Sequence, residues 1–263
     1  MAKDILSQIV ARKRADIEQA RKRLPPDEIR VRAEAAPAPR HFLKQFTGER
    51  KSAVNIIAEV KRASPSKGPI RPDLDPAALA GAYAAGGAAA ISVLTDTPYF
   101  RGSLDDMAAA KAAVDIPVLR KDFILSEYQV YESRAHGADA ILLIARILSP
   151  GQLQALYQLS ESLCMDVLLE IHTAQEVEVA LAAGARLIGI NNRNLKSFKT
   201  DTHTAIRLAE RLAPDCIPVA ASGIRTKTDI EVNLAAGIRN FLIGESLVRA
   251  ADPTRLIQEM ISA

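Results

Sequence analysis

The chain has 263 residues, of which 48% are hydrophobic and 25% charged, a globular composition with enough apolar material for a large core. Its formal net charge of +3 is too small to favour nucleic acid or acidic lipid, so we expect neither as a partner. No apolar run approaches the roughly 18 residues of a membrane span, and we find no signal-peptide pattern, so we expect a cytoplasmic protein. The two cysteines, Cys164 and Cys216, lack metal-ligand spacing, and we expect no metal.

The first 50 residues predict a helical segment. Apolar side chains recur at helical spacing over residues 4–23, with basic residues on the other face, which indicates an amphipathic helix. Residues 24–40 contain four prolines and indicate a linker with a short helix at most. Residues 41–46 indicate another short helix.

From residue 54 onward, short apolar strands alternate with amphipathic helices. Strands that are apolar on both faces are typical of a parallel sheet covered on both sides by helices. An open doubly wound sheet would be accompanied by a dinucleotide or phosphate-loop motif, and this sequence has none. Eight units therefore predict an α/β fold, a (β/α)8 barrel. The strands are predicted at 55–60, 90–94, 118–121, 140–144, 167–170, 187–190, 218–221 and 241–243, and the helices at 76–85, 104–113, 127–136, 150–163, 174–183, 202–212, 226–235 and 253–261.

This pattern divides the chain into two parts of one structural domain. Residues 1–50 form an N-terminal helical extension, and residues 51–263 form the barrel that carries the catalytic site.

The carboxyl ends of barrel strands are where active sites lie, so the residues there are candidates for chemistry. Glu59 and Lys61 follow the first strand two residues apart and point to the same side, while Lys121 ends the third strand and Glu170 the fifth. A single charge at such a position marks the edge of the core. Four charges that converge on one mouth favour function, because together they supply an acid, a base and anion anchors.

Two glycine-containing turns predict a phosphate site. Ser222-Gly223 precedes a predicted helix, and Gly244-Glu245 follows the last strand, so backbone amides can approach an anion there, as is common after the seventh and eighth barrel strands. Glu245 would contribute only its backbone. His172 follows Glu170 by two residues, and both a general base and a structural imidazole remain open for it.

The strand-end segments resemble the indole-3-glycerol-phosphate synthase family of tryptophan biosynthesis over nearly the whole chain. The resemblance rests on IIAEVKRASPSKG at 56–68, LRKDFI at 119–124, ADAILLI at 138–144, LLEIH at 168–172, IGINNRNL at 188–195 and SGI at 222–224.

The resemblance implies a carboxy-lyase that needs no cofactor. Its substrate would be 1-(2-carboxyphenylamino)-1-deoxyribulose 5-phosphate, a small phosphosugar derivative, which undergoes ring closure with loss of carbon dioxide and water. Lys121 would be the principal general acid, its proton affinity lowered by burial beside other cations. Lys61 would hold the carboxylate and could assist as an acid, and Glu170 would be the general base of the dehydration. Glu59 and Asn191 would position the substrate and these lysines. Arg193 and Ser222 would line the substrate site, and Ser64, Gly223, Gly244 and Glu245 would hold the phosphate.

One position departs from the family. The seventh-strand motif of the family reads Glu-Ser-Gly-Ile, whereas this chain has Ala221-Ser222-Gly223-Ile224. An activity-impaired barrel that only binds a phosphosugar is therefore an alternative. A phosphoribosylanthranilate isomerase is another alternative, but that enzyme needs a Cys/Asp pair at the barrel mouth.

For the oligomeric state, we expect a monomer or a weak homodimer.

Overall fold

The computed structural model describes residues 5–47, 53–194 and 199–263. Its first helix is α1 (Ile5–Arg23), as predicted, while Asp4 and the expected boundary between residues 50 and 51 lie outside the described residues. A 3-10 turn at Leu43–Gln45 stands where another short helix was predicted.

The linker predicted for residues 24–40 is largely a helix, α2 (Pro26–Ala35). Pro26 occupies the first helical turn, where the missing amide hydrogen costs nothing, and two acidic residues in that turn complement the positive helix end. The prolines at the start of the segment thus begin a helix rather than prevent one.

Eight of the described strands are parallel and close into a barrel, which confirms the predicted (β/α)8 fold. The first and last barrel strands pair directly, since Asn55 lies opposite Asn240 and donates a side-chain hydrogen bond to it at 2.8 Å. The barrel strands are β1 (Asn55–Val60), β4 (Ala90–Leu94), β5 (Val118–Lys121), β6 (Ala140–Ile144), β7 (Asp166–Ile171), β8 (Leu187–Asn191), β9 (Ile217–Ala221) and β10 (Asn240–Ile243), while β2 (Ala63–Ser64) and β3 (Gly68–Pro69) form a small hairpin after β1.

The helices that follow the barrel strands agree closely with those predicted, although the helix expected at 202–212 is shorter. They are α3 (Pro76–Ala85), α5 (Leu104–Ala113), α6 (Glu127–Ala135), α7 (Pro150–Ser162), α8 (Ala174–Ala182), α9 (His203–Ala209), α10 (Lys227–Ala235) and α12 (Pro253–Ile261). Two short helices were not predicted, α4 (Thr97–Phe100) and α11 (Glu245–Arg249).

Most of these helices begin at a side chain that accepts hydrogen bonds from free backbone amides of the first turn. Such a cap contributes about 1 kcal/mol to helix stability. Ser149 and Thr226 form full capping boxes with the third residue of their helices. The capping residues are Asp75, Asp96, Ser103, Ser149, Thr173, Thr226 and Asp252.

The inner faces of the strands meet in a core inside the barrel, and a second core lies between the strands and the helices. Ile57, Leu119, Leu168 and Leu242 belong to the inner core. Side chains alternate along a strand, so the residue two positions later in each case also points inward, at the carboxyl end of the strand. Those residues are Glu59, Lys121, Glu170 and Gly244.

The helix α1 is fixed to the barrel by a buried cation. Lys13 is only 7% exposed, and its ammonium group lies 2.8 Å from carboxylate oxygens of both Asp96 and Asp122. Asp122 also accepts hydrogen bonds from Thr95 and Arg120. Because Asp96 follows β4 and Asp122 follows β5, α1 is held at the carboxyl ends of the strands, which we call the barrel mouth.

Candidate active site

Glu59 is the centre of the charged cluster in the barrel mouth. Its carboxylate is 3% exposed and lies between two ammonium groups, in contact with Lys61 and 3.4 Å from Nζ of Lys121. Burial alone would favour the neutral acid, but the two lysines outweigh burial and lower the pKa of Glu59 to about 2. Glu59 is therefore an anion at neutral pH and holds two cations in place.

Lys121 differs from the sequence-based expectation in its proton affinity. Burial favours the neutral amine and Arg193 repels the ammonium, but the carboxylates of Glu59 and Glu170 outweigh both and raise the pKa of Lys121. The expectation of a lowered proton affinity was wrong because it counted neighbouring cations and omitted the two carboxylates. Lys121 thus carries a proton at neutral pH, which is the form a general acid requires.

Glu170 and Asn191 form the second part of the cluster. The Asn191 amide donates a hydrogen bond to Oε1 of Glu170 at 3.2 Å, and both side chains are buried. The backbone amide of Arg193 donates to Oδ1 of Asn191 at 3.0 Å, which sets the orientation of the Asn191 amide. The structure therefore brings the predicted catalytic residues to one mouth: Glu59, Lys61, Lys121, Glu170 and Asn191 all line the same pocket.

The predicted phosphate-binding residues line another wall of this pocket, together with Ser222. Ser222 and Gly223 have positive φ angles of 68° and 85°, and a Cβ atom at Gly223 would lie 2.5 Å from Cγ2 of Thr200. Such a backbone is costly for a residue with a side chain, and it is common at ligand sites. Ser64, Gly223, Gly244 and Glu245 are the four residues of this wall that were predicted to bind phosphate.

Gly244 and Glu245 are the two residues of this wall that follow the last barrel strand. A Cβ atom at Gly244 would overlap the carboxylate of Glu59, so only glycine permits Glu59 to occupy its position between the lysines. The side chain of Glu245 accepts a hydrogen bond at 3.3 Å from Nε of Arg249, one turn later in α11. Its carboxylate therefore has a partner that does not line the pocket, and the expected contact of its backbone amide with phosphate stays a prediction.

The loop after β1 forms another wall. It contains the hairpin of β2 and β3, and Arg62 anchors it through Asp106 and through a 2.9 Å hydrogen bond to the carbonyl oxygen of Leu74. Arg193, from the end of β8, donates to Oγ of Ser66 in this loop at 3.0 Å. The loop is thus tied to two other elements around the pocket.

Sequence reasoning missed the apolar lining of the pocket. Ile5, Leu6 and Ile9 of α1 line it, as do Phe100 and Phe123. The apolar face of α1 was visible in the sequence, but nothing there showed which part of the barrel it would contact. This lining can bury an aromatic group beside the charged cluster.

Ala221 lies in the same mouth. It is 5% exposed, belongs to the inner core, and pairs with Asn191 of β8 and Leu242 of β10. The strand β9 therefore contributes a methyl group where the family motif has a carboxylate. Within the described residues, the cations that line the mouth are Lys61, Lys121, Arg193 and Arg225; the buried Glu59 lies beside both lysines, and the buried Glu170 also acts on Lys121.

Other features limit the chemistry of the site. Cys164 and Cys216 precede β7 and β9, at the end of the barrel opposite the mouth, so they cannot supply the thiol acid of the isomerase alternative. No cluster of side chains suited to a metal ion occurs in the described ranges. None of the helices that the structure describes is long and apolar enough to cross a membrane.

The fold and the barrel mouth together define a (β/α)8-barrel enzyme, in which acid, base and amide groups lie at the carboxyl ends of the strands. The family model described as indole-3-glycerol phosphate synthase matches residues 6–260. The chain therefore belongs to the indole-3-glycerol phosphate synthase family.

Individual relatives agree with this assignment. An indole-3-glycerol phosphate synthase of Desulfosudis oleivorans is 54% identical over 262 residues, which cover 98% of this chain and 99% of the relative. One from Syntrophobacter fumaroxidans is 45% identical over 260 residues, 99% of this chain and 98% of that relative.

Similar solved structures support the fold. A 3-hexulose-6-phosphate synthase has a TM-score of 0.64 at 16% identity and covers 80% of this chain and 99% of its own. A thiamine phosphate pyrophosphorylase from Pyrococcus furiosus has a TM-score of 0.61 at 15% identity, with 80% and 94% covered. At these identities the likeness concerns the barrel alone.

Proposed function

We propose that the protein is a carboxy-lyase that converts 1-(2-carboxyphenylamino)-1-deoxyribulose 5-phosphate into indole-3-glycerol phosphate, carbon dioxide and water. The observation that carries this proposal is the convergence of Glu59, Lys61, Lys121, Glu170 and Asn191 in one buried mouth, beside an apolar lining and glycine turns. A substrate with an aromatic acid at one end and a phosphate at the other fits that distribution of groups.

The first chemical step is ring closure. The aromatic carbon that bears the carboxylate attacks the ketone carbon, and the ketone oxygen becomes a hydroxyl group by taking a proton. Lys121 supplies that proton, because Glu59 and Glu170 keep it in the ammonium form inside the pocket. Lys61 binds the substrate carboxylate, and Glu59 holds both lysines in position.

Loss of carbon dioxide then restores the aromatic ring, and dehydration completes the indole. Glu170 accepts the proton that is removed in the dehydration, while the amide of Asn191 orients its carboxylate. The departing hydroxyl group takes a proton from the Lys61 ammonium and leaves as water. The phosphate is bound by backbone amides at Gly223, Gly244 and Glu245 and by the Ser64 hydroxyl, while Arg193 and Ser222 line the substrate site.

The protein would act without a cofactor, in the cytoplasm, as a monomer or a weak homodimer. The free thiols of Cys164 and Cys216 are typical of a reducing compartment, which supports the cytoplasm. Residues of one chain provide the whole cluster in the mouth, which supports a monomer.

The test is direct. Purified protein is mixed with the carboxyphenylamino sugar phosphate, and formation of the indole product is followed by its fluorescence. We expect turnover that saturates with substrate. Substrate binding measured by calorimetry without an indole signal would contradict the proposed enzyme and favour the activity-impaired barrel.

A further inference from the structure

The imidazole of His172 is buried directly behind Glu170 and makes no hydrogen bond. Its side chain is 4% exposed, and neither ring nitrogen has a hydrogen-bond partner among the described residues. Nε2 lies 3.6 Å from Oε1 of Glu170, and Nδ1 lies 3.7 Å from Oε2 of Glu176. A buried polar group without a partner destabilises a folded protein, so an unpartnered imidazole at this position suggests a functional role.

Glu176 is fixed in its position on the far side of the ring. The backbone amide of His172 donates to its Oε2 at 2.6 Å, and Nε of Arg146 donates to its Oε1 at 3.1 Å. Burial opposes ionisation of Glu176, but the imidazole and backbone of His172 and the charge of Arg146 outweigh burial and lower the pKa of Glu176. Glu176 is therefore an anion that can only accept a hydrogen bond.

The carboxylate of Glu176 determines which ring nitrogen of His172 carries the hydrogen. A neutral imidazole donates from one ring nitrogen and accepts at the other. Because the carboxylate of Glu176 faces Nδ1, the hydrogen belongs on Nδ1, and Nε2 presents its lone pair to Glu170. Two acceptors at 3.6 Å repel one another unless a proton lies between them.

We propose that His172 is a positioning residue whose Nε2 accepts the proton that Glu170 removes from the substrate, so that the pair holds no proton before this step and shares one after it. In this step the O–H bond formed on Glu170 breaks, an N–H bond forms at Nε2, and Glu170 is again a carboxylate. The resulting imidazolium lies between the carboxylates of Glu170 and Glu176. Orientation of an imidazole by a buried carboxylate is the arrangement that hydrolytic triads use.

The groups that face this unit come from every element packed against it. Glu170 belongs to β7, Glu176 to α8 and Arg146 to the 3-10 turn Ala145–Ile147, while Lys121 of β5 and Asn191 of β8 act on Glu170. The inference rests on the proposed role of Glu170, so it is tested in two ways, one of which does not need turnover.

The first test follows turnover. His172→Gln should lower kcat about ten-fold or more while KM changes less than about two-fold. The acid limb of the kcat–pH profile should shift to lower pH, because an imidazole is ordinarily more basic than a carboxylate and its protonation no longer blocks the pair. Glu176→Gln should have a smaller effect in the same direction and no further effect in the His172→Gln background. The exposed His41→Gln is the matched control, and an unchanged kcat and acid limb in His172→Gln would overturn the proposal.

The second test follows the imidazole itself. The NMR signal of His172, assigned by its absence in His172→Gln or His172→Asn, is titrated in the wild-type protein and in Glu170→Gln. We expect a lower midpoint in Glu170→Gln, since a carboxylate 3.6 Å away has been removed. Equal midpoints would overturn the proposal even in an active enzyme. A lower midpoint in a protein that forms no indole would contradict the proposed function and leave the shared proton established.

Discussion

At the scale of single residues, the barrel mouth is organised by one carboxylate. Glu59 contacts Lys61 and Lys121 from a position that only a glycine at 244 leaves open. The two lysines can both remain charged in a buried site because this anion lies between them. Their proposed roles as acid and carboxylate binder therefore depend on a residue that need not touch the substrate.

Replacement of the proposed general acid separates chemistry from binding. Lys121→Ala should abolish indole formation, because no other ammonium is proposed to protonate the ketone oxygen. Binding of inorganic phosphate, measured by calorimetry, should stay within about two-fold, since the glycine turns are unchanged. A variant that keeps a near-normal kcat would contradict the role of Lys121.

Removal of the central anion should appear in the pH dependence. Glu59 is ionised at all pH values above about 2, so its charge stabilises the ammonium form of Lys121 throughout the working range. In Glu59→Gln the Lys121 pKa should fall, and the alkaline limb of the kcat–pH profile should move to lower pH. An alkaline limb in the wild-type position would show that another group sets it.

The methyl group of Ala221 is the residue that distinguishes this mouth from the family motif. Ala221→Glu should raise kcat, because a carboxylate there would face the cations of the mouth as the motif implies. An unchanged or lower kcat, measured by indole fluorescence with a Tm close to the wild-type value, would mean that the site has adapted to alanine.

At the scale of elements, α1 is part of the pocket, and one buried cation fixes it there. Lys13 reaches Asp96 and Asp122 after two successive barrel strands, and Ile5, Leu6 and Ile9 of the same helix line the pocket. Lysine is rarely buried unless it is paired, and here two carboxylates raise its pKa in spite of burial. The position of the helix over the site thus depends on this contact.

Loss of that cation should weaken both the fold and substrate binding. Lys13→Met removes the ammonium group beside the buried Asp96 and one of the two cations beside the buried Asp122, a change that costs roughly 3–5 kcal/mol and lowers Tm by about 10 °C. We also expect a higher KM, because the apolar lining is no longer held in place. The control is Arg12→Ala, whose exposed pair with Asp16 should change neither value measurably. Equal Tm values in the two variants would contradict the anchoring role of Lys13.

The secondary-structure elements also show how much of the fold can be predicted from the sequence. The strands β1, β4, β5 and β6 and the helices α3, α5 and α12 have the predicted bounds, because apolar runs, caps and glycine ends mark them locally. The helices α4 and α11 are too short to show a helical periodicity of apolar residues in the sequence. The docking of α1 and the raised pKa of Lys121 arise between residues far apart in the chain, and no local pattern predicts either.

At the scale of the whole molecule, the buried carboxylates determine the response to acid. Glu59 and Asp122 both have a pKa of about 2, below the ordinary values of 4.5 and 3.8 that they regain on unfolding. The stability that they contribute is therefore complete above about pH 5 and is lost as the pH falls towards 2.

The free energy of unfolding should therefore decrease in acid. Urea titrations at a series of pH values should give a constant free energy of unfolding near neutrality and a steep decrease below about pH 5. In Glu59→Gln the decrease should be shallower, because one of the two depressed carboxyls is gone. The same slope in both proteins would show that Glu59 contributes no pH-dependent stability.

The pairing of β1 with β10 has a consequence for how the protein is made. Asn55 and Asn240, which join these strands through their side chains, are 185 positions apart. During synthesis, β1 emerges with one edge whose partner is translated only 185 positions later, and an unpaired edge attracts the strands of other chains. The ring closes only after β10 has been translated, so a ribosome that stalls between β9 and β10 would release an open sheet prone to aggregate.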